Sequence, residues 1–346
     1  MTDTARRALI ATLVAVTVVA FALALWRLRL VFGLLFLGIT ISAAMRPGVE
    51  WLERRRLPKS VGIAVHYVAL AAVVALFLSL LVPVAVDQVQ EAIGRLPAQA
   101  RSSSGFKHDV LLGIQRKLQD LPHGSQLVRP GVELTVRAFE VLVGILFTLA
   151  TAAYWIYERD RAIGLVTCAL PSPRRRVVRD TWHLIDLKLG SYVRGQGLLI
   201  VLVGTALSLA FLAIGVPYWL LLGSFAGIVE IVPIIGPITA GAIAIGVGLT
   251  KSIGVGIAAG AAVLVVRLLE DYLLLPRVPG GATGLSPLLV LVSVTASAVL
   301  FGGFAVLLAV PFAALVATLV EVTVLDRDPR DAEVPTVLFA AKDAER

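Results

Sequence analysis

Charged residues, cysteine and histidine are all scarce in this chain of 346 residues. Only 16% of the residues are Asp, Glu, Lys or Arg, whereas a soluble domain carries about 25%. A single cysteine, Cys168, excludes an intrachain disulfide framework and a cysteine-rich metal site. The four histidines are scattered without the spacing of metal ligands, so we expect no resident metal or cofactor.

Sequence motifs of the common catalytic classes are missing as well. The chain has no H-E-x-x-H, no G-x-S-x-G and no Walker P-loop, so we expect neither an enzyme nor a transporter driven by ATP bound to this chain. The net charge is +8, but the basic residues cluster between apolar runs. That pattern orients a membrane protein by the positive-inside rule and does not indicate nucleic-acid binding.

Long apolar runs are what the chain has in abundance. Apolar residues make up 58% of the sequence and the mean hydropathy is +0.91. Runs near 20 residues recur, and about 20 helical residues cross a hydrocarbon core of about 30 Å. The alternating pattern of a membrane β-barrel is absent. We therefore predict an all-α, polytopic helical membrane protein with about eight transmembrane spans in a lipid bilayer.

The polar stretches divide the chain into six predicted regions. Transmembrane spans occupy 1–86, an extracytoplasmic amphipathic helical segment 87–135, a further span 136–157, a basic cytoplasmic amphipathic linker 158–197, the C-terminal transmembrane core 198–321, and a polar cytoplasmic tail 322–346.

Two strongly basic stretches set the predicted orientation. We interpret 45–60 as a charged loop and expect it to face the cytoplasm together with 158–197, so that eight crossings leave both termini inside. Arg27 and Arg29 then fall outside, which counts against this orientation. In 87–135 we expect two amphipathic helices joined by a turn at 101–105, and we favour a solvated helical hairpin without a binding site.

The stretch from Glu230 to Pro237, which reads Glu-Ile-Val-Pro-Ile-Ile-Gly-Pro, interrupts the C-terminal core. Pro233, Gly236 and Pro237 should break a membrane helix, and such a break persists only where protein or water satisfies the freed backbone groups. Broken helices with nearby charges are typical of transporter sites. The alternative is a surface loop between two spans, with Glu230 among the lipid headgroups.

A second group of charges follows in the next apolar run. Arg267 and Glu270 lie three residues apart, so they share a helix face and can pair, whereas we expect Asp271 to point elsewhere. Ionisable residues at membrane depth are functional candidates by default. The alternative is a structural ion pair near the membrane interface.

Ordered motifs from about 46 to 311 resemble the autoinducer-2 exporter (AI-2E) family of bacterial membrane proteins. They are Pro47-Gly-Val-Glu-Trp-Leu-Glu-Arg-Arg-Arg-Leu-Pro58, Val82-Pro83 with Asp87-Gln88, Tyr192-Val-Arg-Gly-Gln196, Gly215-Val-Pro217, Pro233-Ile-Ile-Gly-Pro237, Glu270 with Pro276, Leu285 and Pro287, and Ala309-Val-Pro311. The chain departs from the family at Ala305, where a second glycine is usual, and at Glu230, where the family is commonly uncharged.

The resemblance implies a homo-oligomeric secondary transporter of about eight spans in the bacterial cytoplasmic membrane. Family members are associated with export of autoinducer-2, and others with sodium/proton antiport. We expect the path to be lined by the residues Arg194, Gln196, Glu230, Pro233, Gly236, Pro237, Arg267 and Glu270. Glu270 would bind a proton or cation, and Arg267 would hold that carboxylate or an anionic group.

Three functions remain open from the sequence. The first is export of a small polar molecule, with autoinducer-2 as one candidate. The second is cation/proton antiport. The third is a membrane scaffold that does not transport and binds a partner through 87–135.

Overall fold

The computed structural model describes residues 3–102, 128–233, 235–274, 284–332 and 334. Within these residues the chain is helical and has no strand, and six helices are long and apolar enough to cross a membrane. The predicted all-α, polytopic membrane fold is therefore confirmed. Four shorter apolar helices of 11 to 17 residues also occur among the described residues.

Eleven α-helices follow one another along the described part of the chain. Their bounds are α1 Asp3–Arg27, α2 Arg29–Arg54, α3 Lys59–Ser102, α4 Val128–Cys168, α5 Ser172–Ile214, α6 Trp219–Val229, α7 Ile235–Lys251, α8 Ile253–Leu269, α9 Pro287–Phe301, α10 Gly303–Val306 and α11 Ala309–Thr323. A single π-helical segment, Glu270–Leu274, extends α8.

Helix α2 continues through the stretch that we expected to be a loop at 45–60. Pro47 lies inside the helix, which ends only at Arg54, and the connection to α3 is four residues long. Proline removes one backbone donor and disturbs the preceding turn, which normally ends a helix. Here Gly190 of α5 lies against the carbonyl of Ala43, and Arg194 donates to the carbonyl of Ala44 over 3.1 Å. These contacts cover the disturbed turn, so the helix survives the proline.

The basic stretch 158–197 also contains more helix than the sequence predicts. Helix α4 runs to Cys168, and α5 then extends unbroken for 43 residues. The amphipathic segment and the following span are thus one helix, because the helical spacing of apolar residues continues into the apolar run. Leu189 and Tyr192, in the amphipathic part of this helix, are buried.

Helix α3 similarly passes through Pro83 and continues to Ser102. The predicted 101–105 turn lies largely outside the described residues, and the second amphipathic helix of 87–135 lies wholly outside them. The distal part of the polar tail is outside them as well.

Helices α6 and α7 form a hairpin that packs on α5 and α8. Gly223 lies against Ser208 and Gly227 against Gly204, so α6 runs antiparallel to α5. At the far end of α7, the Nζ of Lys251 donates to the carbonyl of Gly215 over 2.6 Å. The hairpin therefore starts, with α6, and finishes, with α7, beside the C-terminal end of α5.

The two helices of this hairpin are shorter than full transmembrane spans. The 11 residues of α6 and the 17 residues of α7 measure about 16 Å and about 25 Å, shorter than a hydrocarbon core of about 30 Å. The broken region is thus a helix–turn–helix element and not an extended surface loop.

Glycine stops α5 where the hairpin begins. Gly215 adopts φ +75°, its N–H donates to the carbonyl of Leu212, and the N–H of Val216 donates to the carbonyl of Phe211. These two bonds form a Schellman cap, which favours glycine because only glycine accepts positive φ without steric cost.

Apolar packing between α5, α6, α7 and α8 forms the main described core. Phe211 lies at its centre, fully buried, among Leu207, Leu222, Ala244 and Ala259. A second, smaller cluster joins Tyr192 of α5 to Val294 of α9 and Ala309 and Val310 of α11. The hairpin is therefore fixed on a rigid frame of longer helices.

The last apolar run is split at Gly302. Helix α9 ends at Phe301, Gly302 takes φ +86°, and a four-residue helix precedes α11, which contains Pro311 in its first turn.

Candidate functional site

The tip of the α6–α7 hairpin is held against α5 by one side chain. Gln196 lies one helical turn beyond Tyr192 on α5, so both face the hairpin. Its Nε2 donates to the main-chain carbonyl of Glu230 over 2.8 Å, and both residues are buried. Val232, in the turn after Glu230, packs against the apolar cluster that contains Tyr192. The Y-x-x-G-Q element thus anchors the break in the helix.

Arg267 of α8 connects the hairpin tip to the end of α8. Its Nη1 lies 3.5 Å from Glu230 Oε1 and 3.1 Å from Glu270 Oε2, and its Nη2 lies 3.0 Å from Asp271 Oδ1. We call these four residues the tip cluster. The predicted Arg267–Glu270 pair is confirmed.

The expectation that Asp271 points elsewhere is wrong. Residues three and four positions apart both neighbour the first residue on a helix surface, so one forked guanidinium reaches both carboxylates. A π-helical segment begins at Glu270 in the same place. Such segments are frequent at functional sites, where they change the direction of side chains.

Burial and charge are unevenly distributed in the tip cluster. The side chains of Glu230 and Glu270 are each 4% exposed, whereas Arg267 is 28% and Asp271 40% exposed. With every group ionised, three carboxylates face one guanidinium. Because a buried charge is costly unless paired, this arrangement favours uptake of a proton or a cation by the two buried carboxylates.

A small cavity of about 10 Å³, with room for about one water molecule, adjoins the cluster between the helices. Glu230, Arg267 and Glu270 form its polar end. Its other walls are apolar or proline side chains from α5, α6, α7 and α8: Val203, Leu207, Ala226, Pro237, Ala240, Val263 and Val266. The cavity therefore has one charged end and apolar sides.

Gly236 and Pro233 shape the turn that carries Glu230. A Cβ at Gly236 would overlap the carbonyl of Val229, so only glycine allows the start of α7 to approach the end of α6 this closely. The N–H of Gly236 donates to the carbonyl of Val232 over 2.9 Å, and the N–H of Ile235 donates to the carbonyl of Pro233. The described turn thus satisfies several backbone groups inside the protein.

Arg194 occupies a different part of the molecule from the tip cluster. It bonds the carbonyl of Ala44 and the hydroxyl of Ser191, and it lines a cavity with Arg46, Glu50 and Asp186. The structure therefore brings together Gln196, Glu230, Pro237, Arg267 and Glu270, with Pro233 and Gly236 in the adjoining turn. Arg194 instead contacts the turn of α2 that precedes Pro47.

The sequence analysis missed a second ion-pair cluster. Asp186 of α5 accepts a hydrogen bond from Arg159 of α4 and lies 3.7 Å from Arg46 of α2, and both Asp186 and Arg159 are buried. Arg159 also bonds Asp160 over 2.8 Å and His183 over 2.9 Å. Arg46, Arg159 and Asp186 lie far apart in sequence, so no local spacing connects them.

Metal-ligand geometry is missing from the part of the chain that the structure describes, since no group of three His, Cys, Asp or Glu residues is arranged to hold a metal ion.

A bundle of membrane helices around a broken hairpin with a buried charged tip defines a membrane transporter type of architecture. The family model for AI-2E family transporters matches residues 15–325, so the chain belongs to the AI-2E family.

Curated relatives share most of their length with this chain. YrrI of Bacillus subtilis is 25% identical over 304 residues, covering 83% of this chain and 85% of that protein. MT0215 of Mycobacterium tuberculosis is 28% identical over 306 residues, covering 83% and 81%. The protein sll0063 of Synechocystis is 27% identical over 308 residues, covering 82% and 76%. The names of all three describe candidate transport proteins.

Proposed function

We propose that this chain is a secondary transporter of the bacterial cytoplasmic membrane that exports a small polar molecule. Its path passes the tip cluster, and Glu270 binds the coupling proton or cation. The observation that carries the proposal is the pair of buried carboxylates, Glu230 and Glu270, that share the single guanidinium of Arg267 at the tip of the hairpin. Both termini lie in the cytoplasm, and the protein works as a homo-oligomer.

The physical basis of coupling is the charge balance of the cluster. A carboxylate that gains a proton loses its negative charge and therefore its ion pair with Arg267. The guanidinium can then turn toward its other partners or toward an anionic solute. The hairpin tip, held to α5 through Gln196, then shifts relative to α8. A ligand that makes different contacts in two conformations of the protein shifts the equilibrium between them, and this shift changes the affinity for the second ligand.

Cation/proton antiport is the second candidate function, and the composition of the cavity favours it. The residues that line the cavity include no neutral hydroxyl or amide side chain. A solute with several hydroxyl groups would leave some of them without partners there, which costs free energy for each unsatisfied group. A proton or a small cation needs only the carboxylates and nearby carbonyls.

Flux measurements in proteoliposomes separate these functions. The purified chain is reconstituted, a pH or sodium gradient is imposed, and a pH dye is followed together with uptake of labelled autoinducer-2. Transport of labelled autoinducer-2 that survives in Glu270→Gln identifies export of a neutral solute without proton coupling at Glu270. Gradient-dependent cation movement that is abolished in Glu270→Gln identifies an antiporter. Empty vesicles provide the background.

The scaffold alternative has its own test. Deletion of 87–135 that removes the cellular phenotype but leaves reconstituted flux intact would support it. If vesicles with the unchanged protein show no flux above empty vesicles for any cation or solute tested, the transport proposal is contradicted.

A further inference from the structure

A second cavity, remote in sequence from the hairpin, lies between α2, α3, α4 and α5. Its volume is about 530 Å³, and most of its lining residues are ionisable. The lining includes Glu50, Glu53 and Arg54 of α2, Lys59 of α3, and Arg159 of α4. We call it the α2–α5 cavity, and nothing in the transport proposal uses it.

Most charges at the back of this cavity are already compensated. Arg46 donates to Glu50 over 2.5 Å, and Arg159 is saturated by Asp186, Asp160 and His183. Bound in this way, the two arginines have little capacity left for a ligand.

The rim of the cavity is different. Arg54 and Lys59 have no carboxylate or hydrogen-bond partner among the described residues, although both line the cavity. Arg55 and Arg56 follow Arg54 in the short connection to α3, so this end of α2 carries four cations close in sequence to the one carboxylate of Glu53. The rim therefore has a surplus of positive charge and unused donors.

An aromatic side chain beside the rim indicates a membrane surface. Trp51 is 45% exposed, and the guanidinium of Arg55 lies 4.7 Å from the centre of its ring. Exposed tryptophan and arginine at the end of a membrane helix are typical of the lipid headgroup region. A phosphate that reaches Arg54 and Lys59 can therefore come from a lipid whose chains lie along α2 and α3.

The carboxylates of the lining narrow the choice of headgroup. Glu50 and Glu53 offer acceptors a short way along α2 from the cations, so a headgroup with donors beyond its phosphate satisfies both sets of groups. We propose that the α2–α5 cavity binds the headgroup of an anionic phospholipid of the phosphatidylglycerol type, with the phosphate on Arg54 and Lys59 and the glycerol hydroxyls on Glu50 and Glu53.

Native mass spectrometry of the full-length protein in detergent tests this proposal. The delipidated protein is titrated with phosphatidylglycerol and, separately, with phosphatidylcholine. We expect saturable binding of phosphatidylglycerol at least tenfold tighter than that of phosphatidylcholine. The double variant Arg54→Gln/Lys59→Gln should lose about tenfold or more of this binding, since each basic residue contributes appreciably to attraction by anionic lipid.

A matched control removes the same charge elsewhere. Arg174 and Arg179 are exposed on α5, and they lie outside the α2–α5 cavity. The double variant Arg174→Gln/Arg179→Gln should bind phosphatidylglycerol as the unchanged protein does. An equal loss in this control would show a general effect of basic charge and overturn the proposal.

Two further comparisons on the unchanged protein decide the case even if the double variant fails to fold. Equal binding of the two lipids overturns the proposal. Displacement of phosphatidylglycerol by millimolar inorganic phosphate assigns the cavity to free phosphate and also overturns it. The charge-preserving variant Arg54→Lys/Lys59→Arg should retain the lipid preference.

Discussion

Gln196 and Glu230 are joined by a hydrogen bond from the side-chain amide of Gln196 to the main-chain carbonyl of Glu230, 2.8 Å long and buried. The bond fixes the end of α6 on α5 and so determines where the Glu230 side chain meets Arg267. A carbonyl at the end of a helix lacks an intrahelical partner, which is why an external donor matters here.

Replacement of Gln196 by leucine should destabilise the protein. The substitution keeps the approximate volume but removes the donor, and a buried carbonyl left without a partner costs about 1–3 kcal/mol. Thermal unfolding in detergent measures the effect. Thr295→Val serves as the control, since Thr295 is exposed and bonds only a carbonyl of its own helix. Equal melting temperatures for both variants would contradict this role of Gln196.

Removal of Arg267 should be more damaging than removal of its partners. Arg267→Gln leaves Glu230 and Glu270 buried without a cation, and breaking a buried pair in this way costs about 3–5 kcal/mol. The triple variant that also carries Glu230→Gln and Glu270→Gln should recover much of that loss. The unfolding free energies of the single, double and triple variants measure the coupling. If neutralising the two glutamates gives no recovery, the carboxylates do not depend on Arg267.

Gly236→Ala should disturb the hairpin tip, whereas Gly246→Ala on the same helix should not. The new Cβ at residue 236 would overlap the backbone of Val229, but the space around Gly246 is open. Overpacking typically costs about 1–3 kcal/mol, and alanine is otherwise the better helix former. The melting temperature and the flux should therefore decrease in Gly236→Ala only. Tolerance of both changes would mean that the turn is looser than the structure shows.

Asp186 and Asp160 provide a matched pair, because both bond Arg159. Asp186 is 6% exposed and Asp160 is 78% exposed. Asp186→Asn should cost several kcal/mol, since it weakens the pairing of a buried arginine, whereas Asp160→Asn should cost less than about 1 kcal/mol. Chemical unfolding of the two variants measures the difference, and similar losses would contradict the inference that burial sets the strength of these ion pairs.

Local sequence patterns were sufficient for part of this account. Apolar runs predicted the membrane helices, the Pro233-to-Pro237 stretch predicted the break in the C-terminal core, and the i,i+3 spacing predicted the Arg267–Glu270 pair. These features depend on interactions within one helix or on the solvent that surrounds it.

Features that depend on contacts between helices could not be predicted in the same way. Pro47 remains inside α2 because α5 covers the disturbed turn, with Arg194 150 residues away bonding the carbonyl of Ala44. The Asp186–Arg159 pair and the Gln196 bond join residues 27 and 34 positions apart. The predicted direction of Asp271 was wrong because one arginine reaches both the i+3 and the i+4 positions and because a π-helical segment begins at Glu270.

The proposed coupling of transport to a proton or cation gradient depends on a buried carboxylate of the tip cluster. Proton movement in proteoliposomes under an imposed sodium gradient, followed with a pH dye, tests it most directly when Glu270→Gln is compared with Glu321→Gln. Glu321 is also an ion-paired acid, but it pairs with Lys188, away from the hairpin. The account predicts that Glu270→Gln abolishes gradient-dependent proton movement and that Glu321→Gln retains it. Undiminished proton movement in Glu270→Gln, in protein that is folded and reconstituted to the same level, would contradict the account.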